Sequence, residues 1–136
     1  TVLSMAGKGD GQKRPGAPVS DLNPERSVTW SLPTDLGRRY AAVAGDRNPI
    51  HMYPWTAKLF GFKRHIIHGM WLLARAVAEM DSEDQGPTRL TCSFKRPVFL
   101  PGSPVFISGP DGGGTAFQVC RSDNGKPHLY GHLGPI

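Results

Sequence analysis

The order of hydrophobic patterns along this chain predicts an α+β domain with one core, in which a sheet wraps around a single buried helix. Three features carry that expectation. Residues 66–80 form the longest helix candidate, apolar on most sides, with Arg75 and Glu79 four apart on one polar stripe. Four strand-like segments follow, at residues 88–99, 104–108, 115–121 and 126–132, separated by Pro-Gly or Gly-rich turns. Only one strand and two short helices come before. A lone helix followed by that many strands has to be enclosed by them if both sets of apolar side chains are to leave water.

The earlier elements read as follows. Residues 27–32 alternate Val28 and Trp30 with more polar neighbours and stop at Pro33, as a strand does. Thr34 can cap a short helix holding Leu36, Tyr40 and Val43, ended by Gly45. Residues 46–51 form a tight loop, with Pro49 pushing Asn48 toward an extended backbone. Pro54 suits the first turn of a second short helix running to about Phe60, with Gly61 as its stop. Residues 4–26 are rich in Gly, Pro, Ser and charge and have no core-forming pattern. The division expected is therefore a linker or N-terminal arm over residues 1–26 and one domain over 27–136. Thr1-Val2-Leu3 reads as the tail of a strand arriving from upstream, and a first residue other than Met fits a fragment or a processed chain.

Composition narrows the function classes. The 136 residues are 38% hydrophobic and 20% charged, as in a folded globular domain and unlike a disordered one. The longest nearly apolar run, residues 66–74, is interrupted by His68 and falls far short of the roughly 20 residues that cross a bilayer. No membrane partner is expected, and no basic start followed by an apolar stretch marks a signal peptide. Cys92 and Cys120 lack the Cys or His neighbours of a zinc site and sit among strand residues, so both are read as reduced buried thiols of a cytoplasmic protein. The net charge of +5 comes from scattered basic pairs with no interleaved aromatic platform, which argues against nucleic acid and leaves a small phosphorylated ligand.

The chemistry is concentrated in residues 40–51 and 68–70. Asp46 and His51 are five apart, a spacing that does not share a helix face. The Asn48-Pro49 corner can instead fold both side chains onto one point, where Asp46 either orients the imidazole or shares a water with it. A neutral imidazole both takes and returns a proton near neutral pH. Gly69, at the start of the long helix, offers an N–H that a carbonyl oxygen can approach without meeting a side chain. Such a donor suits an oxyanion. His68 is read as a packed core histidine, and Trp71 and the methionines as core.

Residues Gly45-Asp46-Arg47-Asn48-Pro49-Ile50-His51 followed by Ala57 resemble the hydratase 2 signature of the MaoC-like dehydratases, the (R)-specific enoyl-CoA hydratases of hotdog fold. The resemblance continues through Gly61-Phe62, Ile67-His68-Gly69-Met70-Trp71, Phe94-Lys95-Arg96-Pro97-Val98 and Leu100-Pro101-Gly102, covering roughly residues 27–133. It departs at Ala44, where Ser, Thr, Gly or Cys is usual, and at Met52-Tyr53, where many members carry Asp.

The resemblance implies a hotdog fold, an antiparallel sheet around a central helix. It implies that Asp46 and His51 activate water, that the Gly69 N–H stabilises the enolate oxygen, and that Asn48 shapes the loop. The reaction implied is reversible syn hydration of a trans-2-enoyl thioester, carried on CoA or on an acyl carrier protein, with CoA as part of the substrate. No metal or redox cofactor is expected, since no Gly-rich dinucleotide loop follows a strand and no metal-ligand cluster is visible. Lys63, Arg64, Lys95 and Arg96 are expected either to contact the carrier's phosphates or to form a solvated basic face. A second hotdog is expected alongside, as a homodimer or as the other half of a double-hotdog protein whose catalytic loop lies in the second half. The alternatives are a hotdog thioesterase and a non-catalytic thioester-binding half.

Overall fold

The computed structural model describes residues 2–5 as backbone and residues 24–80 and 88–136 in full. Most of the expected arm and the Gly86-Pro87 turn lie outside the described residues. In chain order the elements are β1 (Val2–Met5), β2 (Arg26–Thr29), α1 (Leu36–Ala44), a 3₁₀ turn (Pro49–His51), α2 (Pro54–Lys58), α3 (Gly69–Glu79), β3 (Thr88–Phe94), β4 (Val105–Asp111), β5 (Gly114–Cys120) and β6 (Pro127–Pro135). One sheet has the order β1-β3-β6-β5-β4-β2. Its five strands β3-β6-β5-β4-β2 are antiparallel, as expected, and β1 adds a sixth strand parallel to β3, with Val2 opposite Arg89. This pairing covers an edge of β3 that would otherwise present free backbone groups.

The core lies between the concave face of the sheet and one face of α3. Leu72, Leu73 and Ala76 of the helix meet Phe106, Phe117, Val119 and Leu129 of the strands. Trp30 closes one side; it is 1% exposed, stacks on Phe106 at 5.7 Å and meets Trp71 edge-on at 6.2 Å. Its indole N–H donates to Glu79 Oε1 at 3.2 Å, and Glu79 also holds Arg26 and Arg75. Truncating a tryptophan so buried costs about 3–5 kcal/mol.

Four expectations are corrected. The long helix begins at Gly69, three residues later than its apolar pattern suggests, because Ile66 and Ile67 are extended. Ile66 bridges Phe99, Ile67 N–H donates to Val98 O at 3.0 Å, and Leu100 N–H donates to His65 O at 2.9 Å. Two consecutive β-branched residues favour this short pairing over a first helical turn. Second, α3 is not enclosed on all sides among the described residues: Met70 is 47% and Val77 36% exposed. Met70 is therefore not core, although Trp71 and Met80 do pack against it. Third, α1 has Asp35 rather than Thr34 at its N-cap, and Val43 points to solvent. Its end is as expected, with Gly45 in the left-handed conformation at φ 79°. Fourth, β3 stops early, at Phe94, since Pro97 has no N–H to donate to a ladder.

Cys92 and Cys120 are free and buried, and burial pushes the Cys92 thiol up to about 12. Among the described residues no helix is long and apolar enough to cross a membrane.

Candidate active site

Local rules build the loop that carries Asp46 and His51. Gly45 ends α1 and turns the chain. The Asp46 Oδ1 accepts from Asn48 N–H at 3.2 Å, and the Asn48 Oδ1 accepts from Ile50 N–H at 3.2 Å. These are two successive side-chain turns of the kind Asp and Asn favour. Asn48 thus caps the 3₁₀ turn, with Pro49 at its first position. Thr56 Oγ1 donates to Pro49 O at 2.7 Å, and Arg38 Nη1 donates to Met52 O at 2.6 Å, fastening the loop to α2 and α1. Helix α1 comes so close that a Cβ on Gly37 would collide with the His51 carbonyl oxygen.

The result is that side chains five residues apart converge. One ligand-type atom from each of Asp46, His51 and His68 lies within 4.8 Å of the other two. His51 is buried, and its Nδ1–H donates to Ile66 O at 2.8 Å. That bond leaves Nε2 with its lone pair free. The carbonyl of Ile66, delivered by the extended pair before α3, therefore orients the imidazole, and the Asp46 carboxylate is left to face the same space. Ile66 N–H in turn donates to Ile50 O at 3.0 Å, locking the two segments together. Burial holds the His51 imidazole below the ordinary histidine range; the Ile66 bond and Asp46 oppose the shift and His68 adds to it. His51 is accordingly neutral and competent to accept a proton at neutral pH.

His68 is the neighbour that the sequence presents only as core. It is buried, as expected of a packed histidine, but it packs on His51, ring to ring at 3.8 Å. Its Nε2–H donates to the backbone carbonyl of Asp46 at 2.8 Å, and Tyr40 meets it edge-on at 4.7 Å. Tyr40 opens the stretch singled out in the sequence but has no role assigned there, and neither the Ile66 carbonyl nor His65, whose Nε2 meets Thr34 O at 2.6 Å, carries a chemical signal in the sequence.

Gly69 follows His68 directly and opens α3. The His68 carbonyl accepts from Trp71 and Leu72, whereas the Gly69 and Met70 N–H groups have no hydrogen-bond partner among the described residues. A Cβ at Gly69 would lie 3.0 Å from Phe94 Cε1, so the position also packs tightly on the end of β3.

The trio's hydrogen bonds bear on metal binding. His51 Nδ1 and His68 Nε2 are committed to carbonyls, which leaves His51 Nε2, His68 Nδ1 and the Asp46 carboxylate as the remaining ligand-type groups of the trio.

The four cations singled out in the sequence divide. Lys63, Arg64 and Arg96 line one cavity of about 310 Å³, which none of Asp46, His51, His68 and Gly69 lines. Lys95 is not among its lining residues and stands over the Tyr130 ring at 5.5 Å.

A sheet wrapped on one helix, with an Asp/His loop beside that helix's N-terminus, defines a domain of the hotdog class. Residues 11–108 match the model of the MaoC like domain, and the chain belongs to that family. It is 37% identical over 129 residues to 3-hydroxyacyl-thioester dehydratase X of Mycobacterium tuberculosis, covering 95% of this chain and 44% of that protein. The crystal structure of the M. tuberculosis protein HtdX superposes with a TM-score of 0.76 at 34% identity, covering 83% of this chain and 48% of that one. Peroxisomal multifunctional enzyme type 2 of Drosophila melanogaster is 35% identical over 143 residues, 96% of this chain and 24% of that protein. The chain thus spans less than half the length of each of these relatives.

Proposed function

We propose that this domain carries the active site of an (R)-specific enoyl-thioester hydratase, acting equally as a 3-hydroxyacyl-thioester dehydratase. The observation that carries the reading is the His51 imidazole. It is buried, held neutral, fixed through Nδ1 to Ile66 O, and turned with Nε2 free beside the Asp46 carboxylate. The relative named as a 3-hydroxyacyl-thioester dehydratase supports the same reading.

Water held between Asp46 and His51 loses a proton to Nε2 as its oxygen bonds to C3. The C2=C3 pair shifts toward the thioester carbonyl, and the negative charge develops on the oxygen placed at the Gly69 N–H. Return of the proton from the imidazolium to C2 on the same face completes a syn addition. The sum is one water added across one double bond, with no electron transferred, so the step needs no redox carrier. Asn48 acts through the loop it caps.

The exposed Met70 and Val77 on α3 fit a second hotdog domain, from another copy or from the same protein. Residues 27–136 would form the domain itself, with the preceding residues as its arm. Two free buried thiols fit a reducing compartment such as the cytoplasm.

The test is to follow a short trans-2-enoyl-CoA by enoyl absorbance and by thiol release together. Absorbance loss without free thiol is the expected result. Free thiol would make the protein a thioesterase, and neither signal would leave a thioester-binding domain without catalysis.

A further inference from the structure

Positions 46, 51 and 68 have no metal-binding spacing, yet the fold gathers one ligand-type atom from each of Asp46, His51 and His68 within 4.8 Å of the other two. Both imidazoles make the hydrogen bond typical of metal-ligating histidines, from one ring N–H to a backbone carbonyl. His51 Nδ1–H donates to Ile66 O at 2.8 Å, and His68 Nε2–H donates to Asp46 O at 2.8 Å. Each bond fixes a tautomer and leaves a lone pair on the opposite nitrogen, His51 Nε2 and His68 Nδ1. Catalysis by His51 uses the first. It has no use for the second: His68 Nδ1 is buried without a hydrogen-bond partner, in a residue only 3% exposed. A buried polar atom without a partner is rare and costly, and this one belongs to a ring stacked 3.8 Å from His51. The third group, the Asp46 carboxylate, opens the trio to solvent and brings a negative charge. Among the described residues no lysine or arginine pairs with it.

We infer that Asp46, His51 and His68 form a binding site for zinc or a similar borderline divalent cation, and that its occupancy switches the domain off. The site stands on geometry alone; the inhibition rests on the hydratase reading. Two imidazoles and one carboxylate are a donor set that zinc takes at about 2.0–2.2 Å, with a fourth position left to water. Hard cations such as Mg²⁺ prefer oxygen ligands and keep their own water, so they are poor competitors here. Donor atoms around a tetrahedral zinc stand roughly 3.3 Å apart. The exposed Asp46 side chain, tied by one hydrogen bond to Asn48 N–H, and a tilt of the His68 ring bring the trio to that spacing. The consequence for the reaction follows from the electron pairs. Hydration needs the His51 Nε2 lone pair to receive a proton from water, and a metal bond occupies that same pair. Asp46, drawn in as a ligand, no longer holds the reacting water. Nothing is oxidised or reduced and no covalent bond of the protein breaks, so removing the metal restores activity.

The direct probe is the metal alone. Zn²⁺ is titrated into protein labelled in its histidine rings and followed by NMR, and Co²⁺ is titrated in parallel and followed by its visible absorption. One equivalent of either metal should bind, with the intense bands of four-coordinate cobalt. The ring signals of His51 and His68 should respond to zinc, while that of His132, 3.9 Å from the Asp111 carboxylate, should not. Asp46→Asn, His51→Gln and His68→Asn should each weaken zinc binding by at least about tenfold, the loss that removing even a supporting residue of a metal site causes. His132→Asn should leave it unchanged. The kinetic arm follows hydration of a short trans-2-enoyl-CoA with free Zn²⁺ set by a metal buffer. Inhibition should track the binding curve, a chelator should restore the rate, and Mg²⁺ at the same concentration should leave it alone. The wild-type NMR titration decides without relying on a variant at a buried position: zinc that moves other ring signals and leaves His51 and His68 unmoved overturns the site. Unchanged affinity in folded His68→Asn overturns the three-ligand set. Zinc that binds the trio and leaves the rate unchanged, or raises it, overturns the inhibition. If no thioester is hydrated at all, the hydratase reading fails while the metal titration still decides the site.

Discussion

Replacing Asp46 by Asn separates chemistry from folding better than any other change in the site. The Asp46 side chain is 56% exposed, and its structural task is to accept the Asn48 N–H through Oδ1. An amide oxygen keeps that acceptor. Surface changes of this kind usually stay within about 0.5 kcal/mol, so the melting temperature should barely move. What Asn removes is the negative charge beside the water that His51 deprotonates. A general acid–base partner contributes about 10²–10⁴ in rate, and kcat on a short trans-2-enoyl-CoA should fall by that factor. His51→Gln, which removes the base itself, should fall similarly. Both residues act on one water, so the double variant should be scarcely slower than either single one. Enoyl absorbance gives the rates, and circular dichroism with thermal melting establishes the fold. Hydration by the folded double variant within about tenfold of wild type would refute the mechanism, because no acid–base pair could then be at work.

Three further outcomes follow from the geometry. Gly69→Ala should lower kcat by up to about 10²–10³ by disturbing the oxyanion donor; because its Cβ would press on Phe94 at 3.0 Å, the check is the pairing with Phe94→Ala, and full recovery in the double variant would make Gly69 a packing residue only. His68→Asn should lower kcat with little change in KM and move the acid limb of the kcat/KM profile upward, since His68 is one of the groups holding the His51 imidazole below its ordinary range; an unmoved limb would deny the ring stack any electrostatic part. Stability should decline on acidification: His51 and His128 are both held below the ordinary histidine range, chiefly by burial, so below about pH 6.5 the unfolded chain binds protons that the folded one does not. Each such proton steepens the loss by up to about 1.4 kcal/mol per pH unit, and denaturant midpoints that stay flat from pH 7 to 5 would contradict the burial of both rings.

The sequence by itself determined the elements and the chemistry they carry. Apolar spacing after residue 69, the Pro-Gly punctuation after residue 87, and the Asn48-Pro49 corner are local signals, and a helix, a run of strands and a tight Asp/His loop follow from them through short-range sterics and hydrogen bonding. Tertiary structure decided the rest, because it depends on partners distant in the chain. Ile66 and Ile67 read as helix until residues 98–99 arrive to pair with them, and only then does Ile66 O become the acceptor that turns His51. His68 looks like any buried histidine until the loop after α1 folds over it and brings its ring onto His51. Arg121 and His128, far along the chain from Lys63 and Arg64, join them in one cavity because β5 ends and β6 begins at the same end of the sheet. Sequence patterns record what each residue does to its neighbours within a few positions; which carbonyl meets which imidazole, and which cations share a cavity, is set by the packing of strands onto a helix.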